Sequence, residues 1–281
     1  MNATAQQLRN RKDHWLPQGY LRGFVGPSHE FQEKPLSCFF KDTERWEDVS
    51  ASEIGYEVGF YDYAAGTDHA AAKNPDTTFA RMEREFPLRR EEMIASDFTN
   101  WQEHKPFLLD VAEMLVLRSP LGMEHFEIEA RSFRGATILA VDYDRRTITP
   151  DSLEMRPLPD RAVRNISVSR MLQKVEAGRN WTAKLDWCLR YTDVESEGFC
   201  TTDQAVFAEG PLPPADEHGR VSDDMLHHPD ALIYFPLCWQ ACLFGSPLRF
   251  NEAYGRAINT HMLRAKQKEI ADRFVVSPVK F

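Results

Sequence analysis

The sequence predicts an α+β fold, in which a mostly helical amino-terminal two-thirds packs on a carboxy-terminal antiparallel sheet that a last helix closes. Apolar residues recur at helical spacing in several segments before about residue 180, and from Trp181 they alternate with polar residues. Runs of helix followed by runs of strand are typical of α+β proteins rather than of doubly wound sheets. No stretch resembles a linker, so we expect a single domain over residues 1–281, with the helical part at about 1–180 and the sheet part at about 181–281.

Prolines and glycines delimit the elements of the helical part. The segment EHKPFLLDVAEMLVLRSP, residues 103–120, has the clearest helical pattern, with Pro106 near its start and a Ser-Pro pair at its end. Two β-prone runs around a polar turn predict a hairpin at 36–49. Further helices are expected at 76–95, 121–142 and 159–177.

The carboxy-terminal part has strand-like patterns. Alternation over 181–191 predicts a half-buried strand. Residues 198–203 and 231–237 are further predicted strands, and the second is apolar throughout, which predicts a central place in its sheet. Residues 208–230 are too many and too proline-rich for a hairpin turn, so we expect a mobile loop or lid there. A helix from 251 to about 268 ends the fold.

Composition limits the function classes. A formal charge of -9, from 43 acidic and 34 basic residues, disfavours general nucleic-acid binding because it would repel a phosphate backbone. The five cysteines include no C-x-x-C pair, so neither a disulfide framework nor a zinc finger is expected. The first residues lack an apolar signal run, and no stretch approaches the roughly 18 apolar residues of a membrane helix. We therefore expect a soluble, cytoplasmic protein with no membrane partner.

The opening segment DHWLPQGYLRGF, residues 13–24, carries polar groups at regular intervals. The residue before Pro17 is pushed out of helical geometry, so a helix is expected to start at this proline. Gln18 and Arg22 line the flank of that helix, and His14 stands just before it, where its ring could meet free backbone amides or a bound anion. The simpler alternative is that His14 only braces the helix end. A stripe at i, i+3, i+4 and i+7 is expected to face the core: Pro17, Tyr20, Leu21 and Phe24.

The order His-x-x-Pro-x-x-Tyr-Leu-x-x-Phe of this segment resembles the opening of an uncharacterised, mainly bacterial family known as domain of unknown function 4238. Further similar motifs follow in order, GFYDY, LRSP, WCLRYTDVESEGFCTTDQAVF, YFPL and NTHMLRAKQKEIADRFVVS, at residues 59–63, 117–120, 187–207, 234–237 and 259–277. The chain departs from the family where Gly59 replaces an aspartate and where Gln204-Ala205 replaces Asn-Pro. The family has no established activity, so the resemblance implies architecture and candidate residues rather than chemistry.

Three charged residues lie on faces that are otherwise apolar. Glu83 shares a helix face with apolar residues, Arg118 ends an apolar stripe on the next helix, and Asp203 ends a predicted strand. A buried charge must be paired, and such pairs gather at functional sites. Strand ends are also where sheets commonly present catalytic groups.

We therefore predict that distant polar residues converge on one pocket, with the candidate catalytic residues His14, Gln18, Glu83, Arg118 and Asp203. In this pocket His14 acts as general base or acid, Asp203 orients it or holds a divalent metal, and Arg118 binds an anionic group through its planar fork. The candidate substrate-binding residues are Tyr20, Arg22 and Thr202. The alternative is a structural ion network, in which Arg118 pairs with Glu83 or Asp203 and fixes helices against sheet.

Two weaker patterns concern metals and phosphates. Metal-ligating residue types occur in the loop at 208–230 without any known ligand spacing, which favours a solvated surface loop: Asp216, Glu217, His218, Asp223, Asp224, His227 and His228. Between 156 and 190, eight basic against three acidic residues give a local charge of +5. This stretch is the candidate footprint for nucleic acid or nucleotide phosphates, although a solvated helix face explains it as well.

Two functional classes remain. In the first, the protein is a bacterial hydrolase acting on a phosphate-bearing substrate such as nucleic acid or a nucleotide, as a toxin-like or defence effector. In the second, it is a non-catalytic binding module that uses the same pocket or the basic stretch. We favour the enzyme, because a purely structural protein could replace inward-facing His, Asp and Arg with apolar packing.

Overall fold

A computed structural model of the protein describes residues 12–63, 75–138, 153–178, 181–209, 231–247 and 260–281, and it confirms the predicted α+β class. In these ranges the helices are α1 (Gln18–Leu21), α2 (Pro75–Ala95), α3 (Trp101–Leu117), α4 (Pro120–Ser132), α5 (Asp160–Ala177) and α6 (Thr260–Ile270). The strands are β1 (Lys12–His14), β2 (Leu36–Phe40), β3 (Arg45–Val49), β4 (Tyr56–Val58), β5 (Arg134–Ile138), β6 (Leu153–Pro157), β7 (Asp186–Tyr191), β8 (Thr201–Thr202), β9 (Phe207–Glu209), β10 (Leu232–Cys238), β11 (Ala241–Ser246) and β12 (Phe274–Ser277).

The strands form two four-stranded sheets and two ribbons, and every described pairing is antiparallel. One sheet has the order β7-β11-β10-β9, so the apolar strand predicted at 231–237 is central as expected. The other has the order β3-β2-β12-β8, and the predicted hairpin at 36–49 supplies its first two strands. The hairpin thus joins the carboxy-terminal strand β12 instead of belonging to a separate helical part.

The Ser-Pro pair ends α3 and starts α4 as predicted. The Ser119 hydroxyl accepts a hydrogen bond from the Gly122 amide at 3.0 Å, and Pro120 takes the first helical position, where its missing N–H costs nothing. Arg118 therefore sits at the carboxy-terminal cap of α3, with its backbone N–H bonded to the Met114 carbonyl.

The helix predicted at 121–142 is wrong beyond Ser132. Phe133 has extended backbone angles, and Arg134–Ile138 pairs with Leu153–Pro157 as an antiparallel ribbon. Gly135 disfavours helix and the β-branched Thr137 and Ile138 favour this strand, and the apolar periodicity of the preceding helix concealed it. Residues 139–142 lie outside the described part of the chain.

Two predicted strands are shorter than expected because side chains bind their backbone. The strand predicted at 181–191 starts only at Asp186, since Glu113 of α3 accepts hydrogen bonds from the Thr182 amide and hydroxyl and holds a 3-10 turn there. The strand predicted at 198–203 is reduced to β8. The carbonyl oxygens of Gly198 and Cys200 accept from Arg264 and Gln267 of α6 instead of from a strand. The predicted helix at 251–268 is described only from Thr260, and it runs on to Ile270.

The predicted core stripe of the opening segment is confirmed. Tyr20, Leu21 and Phe24 are fully buried, and the Tyr20 hydroxyl donates to the Pro236 carbonyl of β10 at 2.9 Å and lies 2.9 Å from the Thr201 hydroxyl of β8. One side chain therefore connects α1 to both four-stranded sheets. The helix begins at Gln18, one residue later than predicted.

Helix α1 and the 3-10 turn after it lie close to α2. A β-carbon at Gly19 would meet Pro87 Cγ at 2.7 Å, and one at Gly23 would meet Arg90 Nη1 at 2.6 Å. Arg90 also donates a hydrogen bond to the Gly19 carbonyl at 2.8 Å. Gly19 allows this approach, since a larger side chain there would collide with the Pro87 ring, whereas at Gly23 the contacting atom is the end of the flexible Arg90 side chain.

Among the described residues, no helix combines the length and the apolar character that crossing a membrane requires.

Candidate functional site

The centre of the candidate site is the side chain of Arg118, which is only 2% exposed. Its Nη1 donates to Glu83 Oε1 at 2.6 Å, its Nε donates to the Tyr61 hydroxyl at 3.1 Å, and its Nη2 donates to the backbone carbonyl of His14. The guanidinium also lies 4.1 Å from the centre of the Phe79 ring, a cation-π contact. The predicted pairing of Arg118 with Glu83 is thus the one that forms.

The partners of Arg118 keep it charged. Burial alone would lower its pKa, but Tyr61 and Glu83 outweigh that effect and raise the pKa of Arg118 above its usual value. The guanidinium of Arg118 is buried and donates to these internal acceptors, so it presents no free N–H pair to solvent. The predicted role of Arg118 in binding a substrate anion is therefore not supported.

Tyr61 completes the network, and residue patterns alone did not single it out. Its hydroxyl accepts from Arg118 Nε and donates to the Arg118 carbonyl at 2.9 Å, while its backbone N–H donates to Asp13 Oδ2 at 3.0 Å. Burial raises the pKa of Tyr61 to about 12, so the phenol stays protonated. The one signal for Tyr61 in the sequence is its place inside the GFYDY motif.

His14 ends strand β1, which pairs with β4, and its half-buried ring packs 5.4 Å from the ring of Tyr56. Its Nε2 lies 3.5 Å from the Gln18 amide nitrogen, a long contact in which the ring nitrogen accepts. Burial lowers the pKa of His14, with help from the charges of Lys12 and Arg118, whereas a hydrogen bond to the Ser52 backbone and the charge of Glu83 oppose the shift. The ring is therefore neutral at pH 7 and can act as a base.

Glu83 is the member of the network that reaches water. Its side chain is 38% exposed, while Arg118, its partner, is 3% exposed on the same measure. Glu83 also lines a small cavity of about 10 Å³ between α1, α2 and α3, next to Met82, Phe86 and Met114. A cavity of this size has room for about one water molecule.

Asp203 belongs to a different cluster. It is 3% exposed, and its carboxylate accepts from the backbone amide of Asp272 at 3.1 Å and from the backbone of Arg273, in the turn between α6 and β12. Burial raises the pKa of Asp203 to about 6. Among the described residues, no hydrogen bond or ion pair joins Asp203 to His14, Gln18, Glu83 or Arg118. The structure thus brings four of the five candidate catalytic residues together and places the fifth on a turn of its own.

The three candidate substrate-binding residues have different fates. Tyr20 and Thr202 are buried, and the Thr202 hydroxyl donates to the Gln204 carbonyl at 2.8 Å and accepts from the Gln204 amide at 3.0 Å. Both hydroxyls make hydrogen bonds inside the protein, so the substrate-binding roles predicted for Tyr20 and Thr202 are not supported. Arg22 is exposed one turn after Gln18 and faces solvent.

Metal binding has limited support. Within the described ranges, no group of three or more His, Cys, Asp or Glu side chains is arranged to hold a metal ion. The candidate ligands of the loop at 208–230 lie at residues 216–228, outside those ranges.

The basic stretch at 156–190 is partly neutralised by α4. Arg164 pairs with Glu127 at 3.2 Å, and Arg170 pairs with Glu129. The acidic partners lie some 40 residues earlier in the chain, so a count within the stretch does not include the charges that offset it in the folded protein. Arg161, Lys174 and Lys184 remain exposed.

Fold and site together define an α+β protein in which a buried Arg-Tyr-Glu network holds a neutral, half-buried histidine at the surface. The chain belongs to the family described as Protein of unknown function (DUF4238), whose sequence pattern matches residues 12–255, as the motifs of the sequence predicted. Neither a curated protein nor a solved structure matches the chain.

Proposed function

We propose that the protein is a hydrolase of phosphate-bearing substrates, such as a nucleotide or nucleic acid, with His14 as its general base. The observation that carries this proposal is the state of His14, whose neutral ring has Nε2 beside the Gln18 amide and whose backbone is fixed by Arg118. A general base works best when its pKa lies near the working pH and its position is fixed.

The proposal assigns anion recognition to two exposed cations, one on the strand that carries His14 and one after the helix that follows it. Lys12 places its ammonium 4.1 Å above the Tyr56 ring, which packs on the ring of His14. Arg22 is exposed on the helical segment that follows Gln18. These two side chains take the role that the sequence suggested for Arg118, because both can reach a phosphate from solvent.

In the reaction, a water molecule replaces the long Gln18 contact at His14 Nε2, and Nε2 removes a proton from this water as the water oxygen bonds to phosphorus and the bond from phosphorus to the leaving oxygen breaks. The leaving oxygen then takes a proton from the imidazolium or from water. The hydrogen bond to the Ser52 backbone and, to a smaller extent, the charge of Glu83 favour the protonated form of His14, and they offset part of the opposing effect of burial, Lys12 and Arg118 when the imidazolium forms.

The test is hydrolysis by the purified protein of bis(4-nitrophenyl) phosphate, nucleoside triphosphates, and single-stranded RNA and DNA. The variant His14→Gln should lose at least about 100-fold in rate, the usual contribution of a general base. His125→Gln is the matched control, because His125 is an exposed histidine on α4 that is not part of the Arg118 network. The rate of this variant should equal that of wild type. Equal rates for wild type and His14→Gln would refute the proposal.

Growth of cells expressing each variant tests the toxin-like or defence role in the same design. Arrest by wild type and by His125→Gln, but not by His14→Gln, supports a toxic activity that depends on this site.

A second candidate function is non-catalytic binding of a phosphate-bearing ligand. The commitment of Arg118 to internal partners favours it, because the exposed cations Lys12 and Arg22 would then bind the ligand without a catalytic arginine. In that case neither wild type nor His14→Gln hydrolyses any substrate, while Lys12→Gln and Arg22→Gln weaken the binding of a nucleotide.

A further inference from the structure

Arg273 contacts both strands of the ribbon that carries His14. Its guanidinium lies 4.9 Å from the centre of the Trp15 ring, directly after β1. Its Nη2 lies 3.6 Å from Glu57 Oε2 on β4. In the ribbon Glu57 is paired with Asp13, and its neighbour Tyr56 is paired with His14.

The ribbon needs such an external contact. It consists of three residue pairs, and an isolated two-stranded ribbon is at best marginally stable in water. Trp15 Nε1 is buried and finds no hydrogen-bond partner within the described part of the chain, so packing against Arg273 and against Phe60, at 5.7 Å between ring centres, fixes the indole.

The backbone of Arg273 is itself held firmly. The carboxylate of Asp203 accepts hydrogen bonds from the backbone of Arg273 and from the amide of Asp272, and the Arg273 carbonyl accepts from the Lys41 amide at 2.9 Å. Gln204 donates to Asp272 Oδ2 at 3.2 Å, which closes the turn from the other side. Asp203, Gln204 and Lys41 therefore hold the turn from which the Arg273 side chain extends.

We infer that Arg273 and Asp203 are positioning residues for His14: Asp203 fixes the turn, and Arg273 reaches from the turn to clamp the ribbon. Arg118, at the end of α3, also holds this ribbon, by its hydrogen bond to the His14 carbonyl. Asp203 thus acts on His14 through Arg273 and Trp15 and not inside a shared pocket. The catalytic meaning of the clamp rests on the proposed function, whereas its structural effect does not.

The test uses NMR of the wild-type protein and of Arg273→Gln, with the Trp15 indole resonance and the titration of the His14 ring as readouts. Loss of the clamp should shift the Trp15 resonance. It should also move the pKa of His14 up toward 6.5, because burial is the main cause of its lowered pKa. Arg273→Lys keeps a cation above the indole and should restore both signals largely to wild type.

Arg131→Gln is the matched control, because Arg131 is also an exposed arginine in an ion pair, with Asp160 at 2.9 Å, but lies far along the chain from the ribbon. It should change neither signal. Both arginine variants should melt within about 3 °C of wild type, since exposed ion pairs contribute little to stability. Asp203→Asn, which weakens the grip on the turn, should shift the Trp15 resonance in the same direction as Arg273→Gln, by a smaller amount.

An unchanged Trp15 resonance and an unchanged His14 titration in Arg273→Gln would overturn the inference, as would equal shifts in Arg131→Gln. Both readouts are made without substrate, so they do not depend on whether the protein hydrolyses phosphate esters. If the protein is an active hydrolase, Arg273→Gln should also lower kcat several-fold with little change in KM.

Discussion

The side chain of Arg118 donates a hydrogen bond to the backbone carbonyl of His14, so the end of helix α3 holds the strand that carries the candidate base. The same guanidinium binds Glu83 and the Tyr61 hydroxyl. Three segments that are distant in the chain therefore meet at one cation, and its loss affects all of them.

We expect Arg118→Ala to lower the free energy of unfolding by about 3 kcal/mol, because it leaves acceptors without their donor in a buried place. The value lies at the low end for a broken buried ion pair, since Glu83 is partly exposed and can turn to water. Urea unfolding measures the change, and Arg131→Ala, at an exposed ion pair, should show no comparable loss. A loss below about 1 kcal/mol for Arg118→Ala would show that the network contributes little to stability.

Tyr20→Phe is expected to destabilise the protein by about 1 to 2 kcal/mol, because the Pro236 carbonyl and the Thr201 hydroxyl lose a buried partner. The aromatic ring stays, so the packing with Phe24 and Phe86 should persist. Thermal unfolding gives the stability, and any hydrolytic rate should remain that of wild type. A large drop in rate with unchanged stability would instead point to a substrate contact by this hydroxyl.

Asp203 should make the folded state less stable as the pH rises. Its pKa is raised from 3.8 to about 6, so the folded protein holds a proton that the unfolded chain releases, and stability falls between about pH 4 and pH 6. The whole effect amounts to at most about 3 kcal/mol. Asp203→Asn removes this dependence, so the variant should gain stability relative to wild type as the pH rises from 4.5 to 7.5. Parallel stability curves for the two proteins over that range would contradict the raised pKa.

The pH dependence of hydrolysis should follow His14. Because its pKa is below 6.5, the ring is neutral and the rate is flat from pH 8 down to about 6.5, and the rate then falls about tenfold per pH unit once the ring is protonated. Initial rates across pH 5 to 8 test this. A rate that increases on acidification would assign His14 the role of a general acid.

Much of the helical frame and the buried stripe of the opening segment could be predicted from local patterns. Ser119-Pro120 signals one helix end and the next helix start within four residues, and the spacing of Tyr20, Leu21 and Phe24 defines a core face without reference to the rest of the chain. The inward position of Arg118 was also predicted, because it lies on a regular apolar face, whereas its partner was left open between Glu83 and Asp203, and the structure selects Glu83.

The parts that sequence reasoning missed depend on contacts between distant segments. Glu113 shortened a predicted strand by binding Thr182, 69 residues away. Asp203 is satisfied by backbone amides of Asp272 and Arg273, and no residue type marks a backbone amide as a partner. The inward orientation of Asp203 was therefore predicted, whereas its partners in the turn at Asp272 and Arg273 were not.

The close approach of Gly19 to helix α2 sets the separation of two candidate site residues. A methyl group added at Gly19 would collide with the ring of Pro87, so glycine is what lets α1 lie at this distance from α2. Gln18 lies on α1 and Glu83 on α2, so the absence of a side chain at position 19 determines how far apart these two polar residues stand.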